Sequence, residues 1–321
     1  MGESLIDFVP LARASGRGSE IDTATAEGDN GLPLYLPVAG GSPYNCAIAV
    51  ARLGSEVSFA GTISTDFFGD HLVAQLRANG VGLSLVHRVD NPTTLAFVKK
   101  AADGSARYAF YVNDAADRAL TPDWLPGPLP ESAILQIGSI SLIPDPEGSS
   151  ILHVGEREHG RRVIALDPSI RETLIEDETD YRNRLVRALR FATLLKTSDE
   201  DLAWIYPDET PDAAVRHALE AGVGLVVVTK GADGSTAYTS RQTVSVPAVS
   251  VEVSDTIGAG DSFLAGLLVW LDERAASPAT VAALDRSELT GALRFAGRVA
   301  AITCTRVGAD PPRRDEVDRH T

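Results

Sequence analysis

A short glycine-rich stretch, Gly258-Ala259-Gly260-Asp261, combines the residue types needed to bind an anion and to move a proton. A helical pattern follows it, with one apolar face formed by Leu264, Leu267, Leu268 and Leu271. A turn that opens a helix presents free backbone N–H groups and the positive end of the helix dipole, and such sites usually bind phosphate. The carboxylate of Asp261 could accept a proton there from a hydroxyl group that attacks the phosphorus.

The same four residues also fit a simpler interpretation. Asp is a favoured residue at the start of a helix, and Gly-Ala-Gly is an ordinary turn. The stretch by itself does not distinguish a capped helix from a phosphate site, so the elements around it must decide.

Composition excludes several classes of function. The chain has 321 residues, 44% of them hydrophobic and 23% charged, which is typical of a globular protein with a sizeable core. Its net charge of −15 disfavours nucleic acids and anionic membranes as partners. The two cysteines, Cys46 and Cys304, lie in apolar contexts and are expected to be buried free thiols. No membrane-length apolar run or signal peptide is visible, so we expect a cytoplasmic protein.

Strand and helix patterns alternate from about residue 133 onward. This rhythm predicts a mostly parallel central sheet with helices on both faces, in which ligands bind at the carboxyl ends of the strands. Polar clusters follow the predicted strands: Asp167 with Arg171, Lys196 with Ser198 and Asp201, Thr229–Gly234, and Gly258–Asp261. Arg171 suits a phosphate oxygen, and Asp201 could hold Mg²⁺ through water. For each cluster, an ordinary solvated loop is the alternative.

The first strand pattern carries an acidic residue among apolar ones. Asp7 stands between Ile6 and Phe8, and a carboxylate there is costly unless it meets a ligand, a salt-bridge partner or the surface. The strand begins abruptly, and we expect that a few upstream residues are missing from this sequence. A Gly40-Gly41 turn then opens a small-residue helix, where Asn45 could bind a sugar hydroxyl or make a local cap.

Two segments of this half suggest a small separate sheet. Residues 12–37 are rich in Gly, Ser, Asp and Thr before a short strand, and residues 93–112 form a β-hairpin pattern with its turn at Asp103-Gly104. Together they could form a lid over the main domain. At the other end of the chain, a last helix is expected near residues 288–302, and the charged terminal residues are expected to fray.

Several common nucleotide and hydrolase motifs are absent from the sequence. There is no Gly-x-x-x-x-Gly-Lys-Ser/Thr, no Gly-x-Gly-x-x-Gly after the opening strand and no Gly-x-Ser-x-Gly. His-Glu-x-x-His and Cys-x-x-Cys are absent as well. P-loop, nicotinamide and zinc-site interpretations are therefore poor.

Over nearly its whole length the chain resembles the PfkB/ribokinase family of sugar kinases, and within it the bacterial fructokinases. The matching motifs are Gly2-Glu3…Asp7, Gly40-Gly41-Ser-Pro-Tyr-Asn45, Thr65-Asp-Phe-Phe-Gly-Asp70, Asp167-Pro-Ser-Ile-Arg171, Lys196-Thr-Ser-Asp-Glu-Asp201, Thr229-Lys-Gly-Ala-Asp-Gly234 and Asp255-Thr-Ile-Gly-Ala-Gly-Asp261. The resemblance implies one α/β domain over residues 1–321 with a ribokinase-like fold. Its mostly parallel central sheet would be flanked by helices on both faces, with a β-sheet lid from about 12–37 and 93–112.

The resemblance also implies roles for individual residues in ATP-dependent phosphorylation. Asp261 would be the catalytic base, and the N–H groups of Gly258, Ala259 and Gly260 would form the anion hole. The sugar would be held by Asp7, Gly41, Asn45 and Arg171. The nucleotide would be bound by Lys196, Ser198, Thr229, Lys230, Gly231 and Gly234. Asp201 would hold Mg²⁺ through water, and Asp255 with the Ile257 carbonyl would lie near a monovalent cation such as K⁺.

This sequence departs from the family pattern at a few positions. Ser169 stands where Asn is frequent, and Ser198-x-x-Asp201 replaces an Asn-x-x-Glu pair linked to the metal, which shortens both side chains. Ile257 replaces a Thr, and Pro312 aligns with a hydroxyl residue near the cation site of some members.

The sequence therefore predicts an ATP- and Mg²⁺-dependent kinase that phosphorylates a primary hydroxyl of a small sugar, with fructose the first candidate. Alternative substrates are other ketoses, 2-keto-3-deoxygluconate, ribose and nucleosides. A catalytically silent sugar- or nucleotide-binding regulator on the same fold is a second kind of function. We further expect that the lid sheet pairs two subunits, because exposed sheet edges tend to be covered.

Overall fold

A computed structural model describes residues 1–11, 26, 32–100, 106–124, 129 and 134–319. Most of the predicted lid segment at 12–37 and the predicted turn at Asp103-Gly104 lie outside the described residues. The described strands are β1 Leu5–Pro10, β2 Tyr35–Gly40, β3 Ser58–Ser64, β4 Gly82–Val89, β5 Thr94–Lys100, β6 Ala106–Tyr111, β7 Leu135–Gly138, β8 Ile164–Asp167, β9 Leu194–Ser198, β10 Leu225–Thr229, β11 Ser235–Tyr238 and β12 Thr243–Val246. The described helices are α1 Ser42–Arg52, α2 Phe67–Ala78, α3 Glu147–Glu158, α4 Glu178–Leu189, α5 Asp199–Ile205, α6 Pro211–Glu220, α7 Ala259–Asp272, α8 Pro278–Ala282, α9 Arg286–Cys304 and α10 Arg314–Arg319.

The central sheet has six strands in the order β12-β11-β10-β9-β8-β7. Strands β7 to β10 are parallel, and β11 and β12 extend the sheet as an antiparallel pair. The mostly parallel sheet is thus confirmed, while the antiparallel edge was not predicted. Each of these two strands has only four residues, and β12 alternates exposed hydroxyl residues with Val244 and Val246, which leaves a weak apolar signal.

Helices cover both faces of this sheet. On one face, α1, α7 and α9 pack against alternate strand residues such as Ala165, Leu194 and Val227. On the other face, α3, α4 and α6 pack against residues such as Leu166, Leu195 and Val226. Because both faces are buried, these strands are continuous apolar runs that end in polar residues at one edge. That edge is where the predicted site residues meet.

The small separate sheet that the sequence analysis predicted has four strands, in the order β2-β1-β5-β6. Strand β1 lies in its middle, antiparallel to β2 and parallel to β5, although the sequence analysis did not assign β1 to the lid. A further two-stranded parallel sheet is formed by β3 and β4. Asp7 is therefore carried by a central strand of the small sheet.

The end of the chain corrects one expectation. The terminal residues do not simply fray, because Arg314–Arg319 form helix α10 and bury Val317 in the main core. Cys46 is a buried free thiol as expected, whereas Cys304 is only partly buried. Among the residues with described positions, no helix combines the length and apolarity needed to cross a membrane.

Candidate active site

The glycine-rich turn opens helix α7 as predicted. Gly258 adopts the left-handed conformation, with φ of 75°, and a Cβ there would lie 2.6 Å from the Cβ of Ala309. Glycine is thus required at this position by backbone conformation and by space. The N–H of Ala259 donates to the Thr256 carbonyl at 3.2 Å. Those of Gly258 and Gly260 donate to no group within the described ranges, so they can bind an anion.

Asp261 lies in the first turn of α7 and is held by two side chains of α1. The Ser42 hydroxyl donates to Oδ1 at 2.6 Å, and the Asn45 amide donates to Oδ2 at 2.9 Å. Burial raises the pKa of Asp261, whereas these two hydrogen bonds oppose the rise and the nearby Asp167 carboxylate adds to it. The carboxylate is therefore fixed in direction and more basic than an exposed aspartate.

Two glycines allow α1 to begin against strand β1. A Cβ on Gly40 would lie 2.2 Å from Oδ2 of Asp7, and a Cβ on Gly41 would lie 2.9 Å from the Glu3 carbonyl oxygen. The backbone N–H of Ser42 donates to Oε1 of Glu3 at 3.0 Å. The Gly40-Gly41 turn thus brings β1 of the small sheet, the start of α1 and Asp261 together.

Asp7 on β1 of the small sheet interacts electrostatically with Arg171, which follows β8 of the central sheet. Burial raises the pKa of Asp7 to about 7, although the Arg171 guanidinium opposes the rise, and Asp261 adds to it. Arg171 also lies over the ring of Tyr108 on β6, 5.8 Å from its centroid, and donates to the Ile170 carbonyl at 2.9 Å. Both sheets therefore contribute to this part of the site.

One departure from the family pattern, Ser169, lies in an unusual backbone conformation next to Arg171. Ser169 has a φ of 39°, in the left-handed region where non-glycine residues are uncommon and Asn is enriched. The Asn that is frequent at this position in the family suits the conformation better than Ser does. Ser169 therefore holds this conformation at a higher cost than Asn would.

Lys196 and Asp167 form a buried ion pair on neighbouring parallel strands. Nζ of Lys196 lies 2.8 Å from Oδ2 of Asp167, and the two side chains are only 7% and 1% exposed. Burial alone would lower the pKa of Lys196, but the Asp167 carboxylate raises it above its ordinary value. A Cβ placed on Gly260 would lie 3.1 Å from Nζ, so the ammonium group lies close to the anion-binding turn.

Ser198 and Asp201 belong to the cap of helix α5. The Ser198 hydroxyl accepts a hydrogen bond from the Asp201 N–H at 3.0 Å, which is a typical N-cap. Oδ1 of Asp201 accepts from the Ile170 N–H at 3.2 Å. Burial and the Asp167 carboxylate raise the pKa of Asp201, and Lys196 opposes them. The cap thus ties the loop after β8 to the end of β9.

The predicted nucleotide loop follows strand β10 at the same edge of the sheet. Thr229 lies beside Ser198 in the register of the two strands. The Lys230 N–H donates to the Gly234 carbonyl at 2.8 Å, which closes a tight and mostly exposed loop. Gly231 and Gly234 have φ of 50° and 91°, and both conformations favour glycine.

Asp255 stands on the other side of the glycine turn. Its Oδ1 accepts from the Ile257 N–H at 3.1 Å, and its Oδ2 accepts from the Gly308 N–H at 3.0 Å. It thereby connects the turn to the segment after α9.

The structure brings the predicted catalytic and sugar residues together and adds two that the sequence analysis missed. Ser42 was passed over between Gly41 and Asn45, and Asp167 was noted only as part of a polar cluster. Asp167 could have been found from the sequence, because it ends a predicted strand and Lys196 lies on the next strand along the chain. No local signal connects Ser42 to Asp261, which is 219 positions away.

The site carries more acidic than basic groups. The Asp167 carboxylate raises the pKa of Asp201 and of Asp261, Asp261 raises that of Asp7, and Lys196 and Arg171 are cations that oppose these shifts. No group of three or more His, Cys, Asp or Glu side chains in the described part of the chain could hold a metal ion alone.

Comparison with known proteins places this geometry in a family. Residues 36–316 match the family model described as "pfkB family carbohydrate kinase". A fructokinase from Rhizobium leguminosarum bv. trifolii is 39% identical over 289 residues, covering 90% of this chain and 84% of that protein. Fructokinase-1 from Oryza sativa subsp. japonica is 35% identical over 322 residues, covering 99% of this chain and 94% of that protein.

Solved structures agree with the sequence relatives. A fructokinase from Xylella fastidiosa with bound ATP has a TM-score of 0.86 and 27% identity, covering 99% of this chain and 95% of that chain. A fructokinase from Vibrio cholerae O395 with bound fructose, ADP and calcium ion has a TM-score of 0.83 and 25% identity, covering 99% and 96%. The ribokinase-like fold implied by the resemblance is confirmed. The chain belongs to the pfkB family of carbohydrate kinases.

Proposed function

We propose that this carbohydrate kinase transfers the γ-phosphate of ATP to a primary hydroxyl of fructose, with Asp261 as the general base. The observation that carries the proposal is the position of Asp261 at the start of α7. Ser42 and Asn45 fix its carboxylate beside the N–H groups of the glycine turn. Fructose is the first candidate because the sequence relatives that match over most of the chain are named fructokinases.

The chain's own groups account for the chemical step. The sugar oxygen forms a new bond to the γ-phosphorus, the bond from that phosphorus to the β–γ bridging oxygen breaks, and the hydroxyl proton passes to Asp261. The N–H groups of Gly258 and Gly260 would stabilise the negative charge on the transferring phosphoryl oxygens. The N–H of Ala259 is occupied by Thr256 and would join them only after a small rotation of the turn.

The sugar would lie between Asp7, Asn45 and Arg171. Asp7 lies on β1 of the small sheet and Arg171 follows β8 of the central sheet, so they would bind hydroxyls on different sides of one small ring. Asn45 donates to Asp261, and its Oδ1 is left to accept a sugar hydroxyl. Gly41 would let the start of α1 lie close to the sugar, because its φ of 108° and the nearby Glu3 backbone exclude a side chain there.

The nucleotide would bind along the neighbouring strand ends. The loop formed by Lys230, Gly231 and Gly234 after Thr229 offers backbone groups for the base and ribose. Ser198 serves first as a helix cap, so we assign it a positioning role within the nucleotide site. Lys196 would lie nearest the phosphate end, next to Gly260.

The acidic excess of the site fits Mg²⁺, which proteins usually hold through one or two carboxylates, water and substrate phosphates. Asp201, at the edge of that carboxylate group, would contact the ion through water. When bound, Mg²⁺ supplies positive charge that neutralises the phosphates. Both oxygens of Asp255 already accept N–H groups, so the K⁺ site at Asp255 and Ile257 stays a prediction.

The small sheet would act as a lid of one kinase domain and as a dimer contact. Leu36 on the edge strand β2 is 49% exposed and Tyr111 on the edge strand β6 is 64% exposed. Exposed edges with apolar residues favour pairing with a second copy of the chain. Sedimentation equilibrium that shows only monomers at micromolar concentration would contradict this pairing. Because ATP is the second substrate, we place the enzyme in the cytoplasm.

A sugar panel tests the substrate assignment. ADP release would be followed with fructose, other ketoses, 2-keto-3-deoxygluconate, ribose and nucleosides. We expect kcat/KM to be highest for fructose, and the Asp261→Asn variant serves as the background control. A higher value for another sugar would reassign the substrate. Ligand binding without turnover of any sugar would contradict a kinase activity and favour a regulator.

A further inference from the structure

We propose that Asp167 is a positioning residue that holds the Lys196 ammonium group against the γ-phosphate of bound ATP. The inference rests on the proposed phosphoryl transfer and deepens it. Lys196 would be the group that touches the phosphate, and Asp167 would act only through Lys196. Lys196 stays protonated throughout, so it adds no proton-transfer step to the reaction.

The position of the pair within the sheet supports this role. Asp167 ends β8 and Lys196 lies beside it on β9, one position beyond the paired residues Leu166 and Leu195. Both side chains point to the face that carries α1 and α7, because the preceding same-side residues Ala165 and Leu194 pack in that core. The pair therefore lies under the start of α7, where the phosphate would bind.

The burial of the pair within the site requires a compensating contribution. Removing two charges from water is costly, and replacing a buried ion pair with apolar residues is often neutral or stabilising. The residues that precede the pair on the same side, Ala165 and Leu194, pack in the apolar core. The pair itself lies beside Asp201 and Asp261, so its charges face other site groups rather than a purely apolar core. A function that requires a cation at this point explains why the charges are there.

The hydrogen bonds of the pair leave it incomplete. Oδ2 of Asp167 accepts from Nζ of Lys196 at 2.8 Å, and Oδ1 of Asp167 is buried without a hydrogen-bond partner in the described structure. An ammonium group has three donors, and Asp167 uses one of them. The remaining donors lie near Gly260, whose N–H likewise donates to no described group. One phosphate oxygen could then accept from both groups.

The carboxylate of Asp167 would restrict the position of the Lys196 ammonium group. The Lys side chain has a flexible four-carbon stem, and its charge has no direction of its own. A fixed carboxylate on the neighbouring strand restricts Nζ to one place. This resembles the way in which Ser42 and Asn45 fix Asp261.

Nucleotide binding provides a direct test that does not need the sugar. The dissociation constants of the Mg²⁺ complexes of ADP and of the β,γ-imido analogue of ATP would be measured for wild type, Lys196→Gln, Asp167→Asn and the double variant. We expect Lys196→Gln to weaken binding of the imido analogue about 10- to 100-fold, with little change for ADP. Asp167→Asn should weaken the analogue about tenfold in wild type and less than twofold in the Lys196→Gln background.

If a single variant does not fold, the double variant can still be measured. Two neutral amides in place of the ion pair would leave no unpaired charge in the core, so Asp167→Asn/Lys196→Gln should fold and still lose the preference for the imido analogue. An unchanged preference in the double variant would show that the pair does not bind the γ-phosphate.

A second buried ion pair supplies a matched control. Arg162 and Glu158 lie 2.9 Å apart with 3% and 0% exposure; Glu158, on α3 outside the site, also accepts from the partly exposed Arg157 at 2.8 Å. Glu158→Gln should lower the melting temperature without changing the ratio of the two dissociation constants. If Asp167→Asn behaves in the same way, its role is structural and the inference is wrong.

Two further outcomes would also overturn the inference. Equal losses from Asp167→Asn in both backgrounds would show that Asp167 acts independently of Lys196. Recovery of analogue binding at higher Mg²⁺ in Asp167→Asn alone would assign the carboxylate to the metal instead. The proposed function is tested separately by ADP release over the sugar panel. A wild type that turns over no sugar would contradict the proposed function, whereas the nucleotide dissociation constants would still decide the role of Asp167.

Discussion

Two aspartates flank the same glycine turn and are used in different ways. Asp255 accepts hydrogen bonds from two backbone N–H groups, those of Ile257 and Gly308. Asp261 accepts from two side chains, Ser42 and Asn45, which belong to another helix. Backbone donors to Asp255 fix the course of the chain around the turn. Side-chain donors to Asp261 fix the direction of its carboxylate and leave the backbone free of it. The first arrangement suits a brace, and the second suits a group that receives a proton.

Asp261→Asn should show the largest effect of any change in this turn. The amide cannot accept the hydroxyl proton, so we expect kcat to fall about 10²- to 10⁴-fold. The melting temperature should stay near that of wild type, because the side chain keeps its size and can still hydrogen-bond Ser42. ADP release with saturating fructose and ATP measures the loss, and thermal unfolding verifies the fold. A kcat near the wild-type value would remove Asp261 from the chemistry.

Ser42→Ala tests the donors that distinguish Asp261 from Asp255. The Ser42 hydrogen bond opposes the rise in the pKa of Asp261, so its loss should raise that pKa further. A base works only when deprotonated, so the acidic limb of kcat/KM should move to higher pH. We expect about tenfold less activity than wild type on that limb and nearly equal activity at alkaline pH.

The pH profile of kcat/KM for Ser42→Thr provides the control, since threonine retains the hydroxyl. A uniform loss at all pH values in Ser42→Ala would mean that Ser42 acts by packing rather than through Asp261.

Asp255→Asn should affect stability more than chemistry. An amide oxygen can accept one of the two N–H groups, and the other is left without its partner. We expect the free energy of unfolding to fall by about 1–3 kcal/mol and kcat to fall less than tenfold. Urea unfolding and ADP release measure the two effects. A large loss of kcat that accompanies loss of K⁺ activation would instead support a cation site at Asp255.

The contrast also shows how far sequence reasoning reaches. The glycine turn, its helix and Asp261 are neighbours in the chain, so residue types and helical spacing were sufficient to predict them. The contact between Ser42 and Asp261 depends on how α1 packs on α7, and the pair of Lys196 and Asp167 depends on strand register. Neither arrangement leaves a pattern within a single stretch of sequence.

In the fold, as in the site, features within one stretch of sequence were predictable and long-range pairings were not. Apolar strands alternating with helices gave the parallel part of the central sheet, because both faces of such strands are buried. The assignment of β1 to the small sheet could not be predicted, since pairing with β2 and β5 brings together segments about 30 and 90 positions apart. The cost of the left-handed conformation at Ser169 was likewise invisible until the φ of 39° was known.

Ser254→Ala should give the smallest effect. It tests whether the segment before the glycine turn, which Asp255 supports, can be altered without affecting Asp261. The Ser254 hydroxyl donates to the Thr305 carbonyl at 3.0 Å in an exposed position, next to the backbone bond from its N–H to the Cys304 carbonyl at 2.8 Å. Losing one exposed hydrogen bond should reduce the free energy of unfolding by about 0.5 kcal/mol, because water replaces the donor. Since the contacts of Asp261 are untouched, kcat should equal the wild-type value in the ADP-release assay. A marked loss of kcat would mean that the segment before the glycine turn affects the position of Asp261. The separate roles of Asp255 in structure and Asp261 in chemistry would then be contradicted.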